Sequence, residues 1–416
     1  MISLSSFHAW VSLQEAAAPR QVVSHLTHLE DLVWTSYHPG AASAVVYLTQ
    51  VANVLKGHAD KAYNLSVKVD GAPSMVVGRD PDDGQFFVAT KSALAKTPRV
   101  AKSLTDIERL YGHAPGLVDT LKVAFTALSQ LNWTTVLQGD LMFVPSLRKR
   151  QTIDGVPHVT FKPNTIVYGI PEASPLGQRV LAASVGIAFH TTYTGSSLAT
   201  LRATPGANLN ALGASSDVLL FPTRYQDVSG SVTMTAAETR EIDALLAKIS
   251  KQTALLQRNP FLSALKTTPA LRDLLMQFQN QLVRAGQPIT PAPQQFVAQF
   301  VDFLERLEEK ESAARKSVAG KTGVREKYLA FIGTVKRLAP ALAPIIAWQT
   351  LVIDAKLALI NKLNLRTEFS PFLQGDGGLT RGDHEGFVAS DRRGGFVKLV
   401  DRSGFSQLNL TQGRFQ

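Results

Sequence analysis

Ser66-Val67-Lys68-Val69-Asp70-Gly71-Ala72-Pro73 is a β-prone run that ends in a turn, with Lys68 at its centre. Strand periodicity puts Lys68 and Asp70 on one face, at the mouth of the Asp-Gly turn. A lysine held at a strand end beside a carboxylate can act as a nucleophile when its surroundings depress its pKa. The plainer reading is an edge-strand lysine next to a hairpin turn. What stands elsewhere in the chain decides between the two.

The chain has 416 residues, enough for two or three domains with their own cores. An apolar content of 45% with 18% charged residues is that of a soluble globular protein. A formal charge of +10 and a pI near 9.7 make polyanions, nucleic acid first, the natural partners. With no cysteine, disulfides, Cys-ligated zinc and thiol nucleophiles are excluded. Met1 to Val11 lacks the basic leader and apolar core of a secretory signal. The longest apolar region, Leu338 to Ile353, is interrupted by Pro340, Pro344 and Gln349, so no membrane span is expected. The expectation is a monomeric cytoplasmic protein, in the host cytoplasm if phage-encoded.

Four segments follow from periodicity. Residues 1–60 form an N-terminal helical segment, in which Ala42 to Lys56 reads as an amphipathic helix. Residues 61–234 are β-rich. There the strand of Lys68 introduces a meander, Ser74 to Gly78 and Gln85 to Thr90 joined by the Pro-Asp-Asp-Gly turn at 81–84. A helix over 104–131, a strand over Thr134 to Phe143, a strand pair over Val159 to Ile170, a short helix over Ser174 to Ala183 and a strand over Val185 to Tyr193 complete it. Residues 235–368 lose every strand signal and read as helices, including Glu238 to Lys248, Leu271 to Arg284, Pro293 to Leu307 and Arg325 to Leu338. Its charged stretch, Arg306 to Lys327, reads as a solvated face, with a phosphate-tracking surface as the alternative. Residues 369–416 return to β character and close with a hairpin of Glu385 to Ala389 and Phe396 to Val400.

Four elements now stand in order: Lys68-Val69-Asp70-Gly71, Gly139-Asp140-Leu141, Glu385-Gly386-Phe387-Val388 and Val397-Lys398-Leu399-Val400. This order resembles the covalent nucleotidyltransferase superfamily of DNA ligases, RNA ligases and mRNA capping enzymes. The resemblance implies an α+β fold: an antiparallel-sheet nucleotidyltransferase (ATP-grasp-like ligase) domain, here with a large all-helical insertion. With eighteen residues after Lys398, no C-terminal OB domain is expected.

The resemblance implies that Lys68 becomes nucleotidylated, with Asp70 and Gly71 completing its motif. Asp140 would contact the ribose, Glu385 would help hold the metal, and Lys398 would contact the α-phosphate. Lys91, in Thr90-Lys91-Ser92, stands where RNA ligases have a Ser-Arg-like element. Phe189 or Tyr168 would stack on the nucleobase. The implied cofactors are ATP and Mg²⁺, the latter with Asp140 and Glu385 as ligands. The chain departs from the family in having Pro73-Ser74 where many DNA ligases carry an arginine, Val400 in place of a second lysine, and a long interval from Asp140 to Glu385. The whole chain is also similar to a group of phage-encoded proteins sharing Phe161-Lys162-Pro163-Asn164-Thr165-Ile166 and Phe189-His190-Thr191-Thr192-Tyr193-Thr194-Gly195, a likeness that implies no function.

The chemistry agrees with the resemblance. An amine that attacks phosphorus must be neutral, and a second lysine and a divalent cation nearby disfavour its charged form. Lys398 would neutralise charge building on the transferring phosphate. Carboxylates such as Asp140 and Glu385 suit a hard cation. No His-Glu-x-x-His, phosphate-loop or Gly-x-Ser-x-Gly pattern competes. His190, with Thr191 and Tyr193, is either a substrate contact or a hydrogen-bonded turn. The expected function is an ATP-dependent polynucleotide ligase that joins 5′-phosphate to 3′-hydroxyl ends of RNA or DNA. Two alternatives stay open: a non-catalytic nucleic-acid-binding or virion-associated structural protein with this fold, and nucleotidyl transfer to a protein or small molecule.

Overall fold

The computed structural model describes residues 27–58, 63–67, 71–163, 166–221, 234–364, 370–375, 378–381, 386–391 and 396–402. Lys68, Asp70 and Glu385 lie outside these residues. The described elements begin with α1 (Leu32–Thr35), α2 (Tyr37–Leu55), β1 (Tyr63–Val67), β2 (Ser74–Arg79), β3 (Phe86–Ala89), α3 (Leu104–Tyr111) and α4 (Pro115–Leu128). There follow β4 (Val136–Phe143), β5 (Arg148–Ile153), β6 (Val156–Phe161), β7 (Val167–Pro171), α5 (Pro175–Ala182), β8 (Val185–Thr194), β9 (Arg202–Pro205) and β10 (Val218–Leu220). The helices α6 (Ala236–Leu255), α7 (Pro260–Thr267), α8 (Pro269–Arg284), α9 (Pro293–Ala313), α10 (Val318–Arg337) and α11 (Ala343–Asn364) come next. The strands β11 (Ser370–Gly375), β12 (Gly378–Arg381), β13 (Phe387–Asp391) and β14 (Phe396–Leu399) end the described chain. The fold class is α+β, and among the described residues every strand pair is antiparallel except β8 and β10.

The chain gathers into two compact units, and they cut it at other points than its composition does. One takes residues 69–224 and 368–382. The other takes 26–68, 225–367 and 383–416, so β1, β13 and β14 group with the helices.

In the first unit a six-stranded sheet has the order β10-β8-β4-β2-β3, with β9 paired to β8. A second sheet has the order β12-β11-β7-β6-β5. The hairpin over 79–84 forms as the Pro-Asp-Asp-Gly turn predicts. Gly84 takes φ 73° there, and Lys102 reaches Asp80 and Asp83, each at 2.6 Å. The helix expected over 104–131 is two helices, because Pro115 occupies the first turn of α4 and cannot continue α3. Met75, Val77, Leu137, Leu141, Ile187 and Phe189 cover one face of the larger sheet and pack against α3 and α4. The hairpin β5–β6 turns at Asp154 and Gly155, both with positive φ. Its first strand, Arg148-Lys149-Arg150-Gln151-Thr152-Ile153, is largely exposed and carries no apolar alternation.

In the second unit α11 packs on α6 and α2, and α9 packs on α10. Helix α2 starts five residues before the expected Ala42. Pro39 falls in its first turn, where a missing N–H costs little. Gly40 is needed there because a Cβ would stand 2.0 Å from the Leu32 carbonyl oxygen. The stretch Ala339–Leu363 is long and apolar enough to cross a membrane by length and composition, and half of it is buried. Trp348, Val352, Ala355 and Leu359 belong to this unit's core, and the Trp348 indole donates to Thr253 at 2.8 Å.

The strand β1 does not continue into a meander with β2 and β3. It pairs with β13 in a three-stranded sheet of order β1-β13-β14, whereas β2 and β3 lie in the six-stranded sheet. Pro73 stands just before β2 and has no N–H to offer a continuing ladder.

Candidate functional site

The register of the three-stranded sheet is Val67↔Phe387↔Leu399 and Ser66↔Val388↔Lys398. The strand that begins two residues after Glu385 therefore lies between the strand that runs into Lys68 and the strand that carries Lys398. Residues as far apart in sequence as Ser66 and Val388 are brought opposite each other. On β14 the core takes Val397 and Leu399, 1% and 0% exposed, and Lys398 alternates between them, half-buried. The Lys398 amide donates to the Thr27 carbonyl at 3.1 Å, and His28 bridges to Lys398 in parallel. Lys398 thus has a backbone partner on each side, Val388 of β13 on one and the Thr27–His28 segment on the other.

The glycine of the Glu-Gly-x-Val element has a structural reason. Gly386 takes φ 143°, and a Cβ there would stand 2.2 Å from the Leu399 carbonyl oxygen. Only glycine admits both the conformation and the close approach of β14.

Asp140 belongs to the first unit, on β4, opposite Ser74 of β2 and Ala188 of β8. Gly71 lies against this strand: a Cβ on it would stand 2.2 Å from the Leu141 carbonyl oxygen and 3.2 Å from the Asp140 Cβ. The glycine of one element thus packs against the strand that carries the aspartate of the next. His190 comes from a β-bulge, because Gln138 pairs with Thr191 and Gly139 with Phe189, leaving His190 as the extra residue. A bulge re-aims the side chain it carries. The His190 Nε2 stands 3.9 Å from the Asp140 carboxylate, and its Nδ1 is 2.8 Å from the Thr191 hydroxyl. Beside it Tyr193 donates to Gln138 at 2.7 Å, and Gln138 donates to Ser74 at 3.2 Å. Burial pushes the Tyr193 hydroxyl up to about 12, so it donates across the ordinary pH range. This Asp-His pair is not a pattern that spacing announces, since Asp140 and His190 are on different strands.

Phe189 is fully buried, with its ring edge-on to Trp133 at a centroid distance of 5.7 Å. Its ring is used in the core under the sheet and offers no open face to a nucleobase. Tyr168 is fully buried too, beside Phe161 at 5.8 Å. A strand reads the same from sequence whichever of its faces is covered, so the aromatic could not be placed from periodicity. Lys91 is exposed and opens a short 3₁₀ turn capped by Thr90.

Of the expected Mg²⁺ ligands, Glu385 lies outside the described residues and Asp140 is described. Among the described residues no three His, Asp or Glu side chains gather to hold a metal ion.

No curated protein and no solved structure gives a significant match to the chain. Residues 23–414 match DUF6267, a family of unknown function, and the chain belongs to that family.

Proposed function

We propose that this protein is a nucleotidyltransferase of the polynucleotide ligase type, with Lys68 as the nucleophile. The observation that carries the reading is the register of β1, β13 and β14. It sets the segment following Glu385 between the segment entering Lys68 and the strand of Lys398. The order of the four sequence elements and the steric need for glycine at Gly71 and Gly386 support it further. The antiparallel nucleotidyltransferase domain with a helical insertion is part of the same proposal.

In the proposed reaction the neutral Lys68 amine attacks the α-phosphorus of ATP. A nitrogen–phosphorus bond forms, the bond to the β-phosphate oxygen breaks, and pyrophosphate leaves with the electron pair. The amine proton is lost to solvent. Lys398 lies on the β14 register row of Val388 and supplies positive charge for the phosphate oxygens. The AMP then passes to a 5′-phosphate end, and a 3′-hydroxyl displaces it to join the strand. The +10 net charge suits a nucleic-acid substrate, RNA or DNA.

The test is incubation of the full chain with α-labelled ATP and Mg²⁺, followed by denaturing electrophoresis. A covalent label that Lys68→Met abolishes and that chases onto a nicked or single-stranded 5′-phosphate end is the expected result. A chain that takes no label with ATP or GTP removes the reading. A label that never passes to a polynucleotide moves it to nucleotidyl transfer onto a protein or small molecule.

A further inference from the structure

The charged cluster around residues 28–31 is the most deeply buried ionic feature among the described residues of the second unit. Glu30 is 0% exposed and accepts from the Lys356 ammonium at 2.9 and 2.8 Å, one bond to each oxygen. Asp31 is 2% exposed and accepts from the Arg402 guanidinium at 2.7 Å. The other Arg402 amino group donates to the Asn280 side chain at 2.6 Å. Gln349 donates to the Glu30 carbonyl at 3.1 Å, and His28 stands 4.0 Å from the Glu30 carboxylate. Two acids from the 27–31 segment and two cations, from α11 and from the chain after β14, are thus enclosed together, with Asn280 of α8 beside them. A buried ion pair is weak evidence for stability, because desolvation offsets its attraction; its best-attested use is to set register.

Strand β14 is a place where register needs setting. It has four residues, and its neighbour on one side is the bridge at His28. Its apolar alternation, Val397 and Leu399, excludes a slip of one residue, which would exchange core and outer faces. The slip of two residues that moves Val400 into the place of Lys398 would bring Asp401 into the buried place of Leu399 and is excluded as well. The opposite slip, which moves Phe396 into the place of Lys398, Val397 into that of Leu399 and Gly395 into that of Val397, brings no charge into the core and is not excluded by the pattern. It would also carry Arg402 about 6.6 Å along the strand, beyond reach of Asp31.

The chain is held against such a slip at two points with matching intervals. The Lys398 amide bonds to Thr27, and four residues further along each segment Arg402 pairs with Asp31. We propose that the buried Asp31–Arg402 pair is the register lock of β14, and that Arg402 is a positioning residue for Lys398. The Glu30–Lys356 pair anchors the 27–31 segment to α11, so the lock bears on a fixed rail. This inference rests on the nucleotidyl-transfer reading only for the role of Lys398; the lock itself does not.

Two readouts on the full chain test it: amide hydrogen exchange over residues 396–402, and the rate constant of self-labelling by α-labelled ATP. Arg402→Gln is expected to speed exchange over 396–402 while α8 and α11 keep their protection. It should lower the labelling rate constant at saturating ATP by about 100-fold, the scale of a misplaced catalytic group. Arg402→Lys, which keeps the charge opposite Asp31, should restore most of both. A purely structural defect would instead lower the labelled fraction and leave the rate constant of the folded molecules unchanged.

Exchange over 396–402 unchanged by Arg402→Gln, or raised equally throughout the unit, overturns the lock. If the wild-type chain takes no label, the nucleotidyl-transfer reading falls, and the exchange measurement alone decides the lock. Should Arg402→Gln fail to fold, Asp31→Asn gives the same two readouts.

Discussion

Gly386 faces the Leu399 carbonyl oxygen so closely that an added Cβ would stand 2.2 Å away. The contact is between backbones, and neither strand can move without breaking the ladder of Phe387 with Leu399. Gly386→Ala also has to hold φ 143°. It is expected to cost about 1–3 kcal/mol from backbone strain, with the overlap adding to it. Chemical unfolding followed by near-UV circular dichroism measures the loss.

Lys356→Met leaves the fully buried Glu30 carboxylate without its cation. Burial pushes the Glu30 carboxyl up, and the Lys356 ammonium and Arg402 guanidinium more than reverse this, holding it below the usual range. Removing one partner of a buried pair costs about 3–5 kcal/mol. The double variant Glu30→Gln with Lys356→Met removes the stranded charge and should recover most of that loss in the same unfolding experiment.

Phe189→Ala separates core packing from base stacking. As a buried core aromatic it should lose about 3–5 kcal/mol of stability. The Michaelis constant for ATP in the labelling assay should stay unchanged in the molecules that remain folded. A selective rise in that constant with full stability would return Phe189 to the nucleotide.

The capping box at the start of α6 supplies a pH dependence. Glu238 accepts from the Thr235 amide at 2.7 Å and from Lys362 of α11 at 2.7 and 2.9 Å. The Lys362 hydrogen bonds and the Thr235 cap hold its carboxyl down at about 2, below the ordinary glutamate value of 4.5. A depressed acid stabilises the folded chain above its unfolded pKa, and that contribution is lost as pH falls from about 4.5 towards 2. Glu238→Gln should flatten this part of the stability profile, read from thermal unfolding at stepped pH. Thr235→Ala, which removes the cap hydroxyl, should cost about 1 kcal/mol at neutral pH.

Much of the architecture is local and could be read directly. Helical periodicity marks α6, α8, α9 and α10, and the turn chemistry of 81–84 marks the hairpin of β2 and β3. The closing hairpin of β13 and β14 is legible for the same reason. The break between α3 and α4 escapes a reading by periodicity, because the apolar stripe resumes in phase after Pro115. The exposed strand β5 has no alternation to detect.

What the sequence determined by itself is the set of elements and the residue types at their turns, since these depend on neighbours a few positions away. Lys68, the glycines at 71 and 386, and Lys398 could be singled out there, though not what they stand beside. Only the tertiary structure decided that β1 leaves the company of β2 and joins β13 and β14. It alone buried Phe189, aimed His190 at Asp140, and closed Arg402 on Asp31 across 371 positions of sequence. The physical reason is that strand partners and buried ion pairs are chosen by which surfaces must leave water together. That choice couples distant segments and leaves no periodic trace in any one of them.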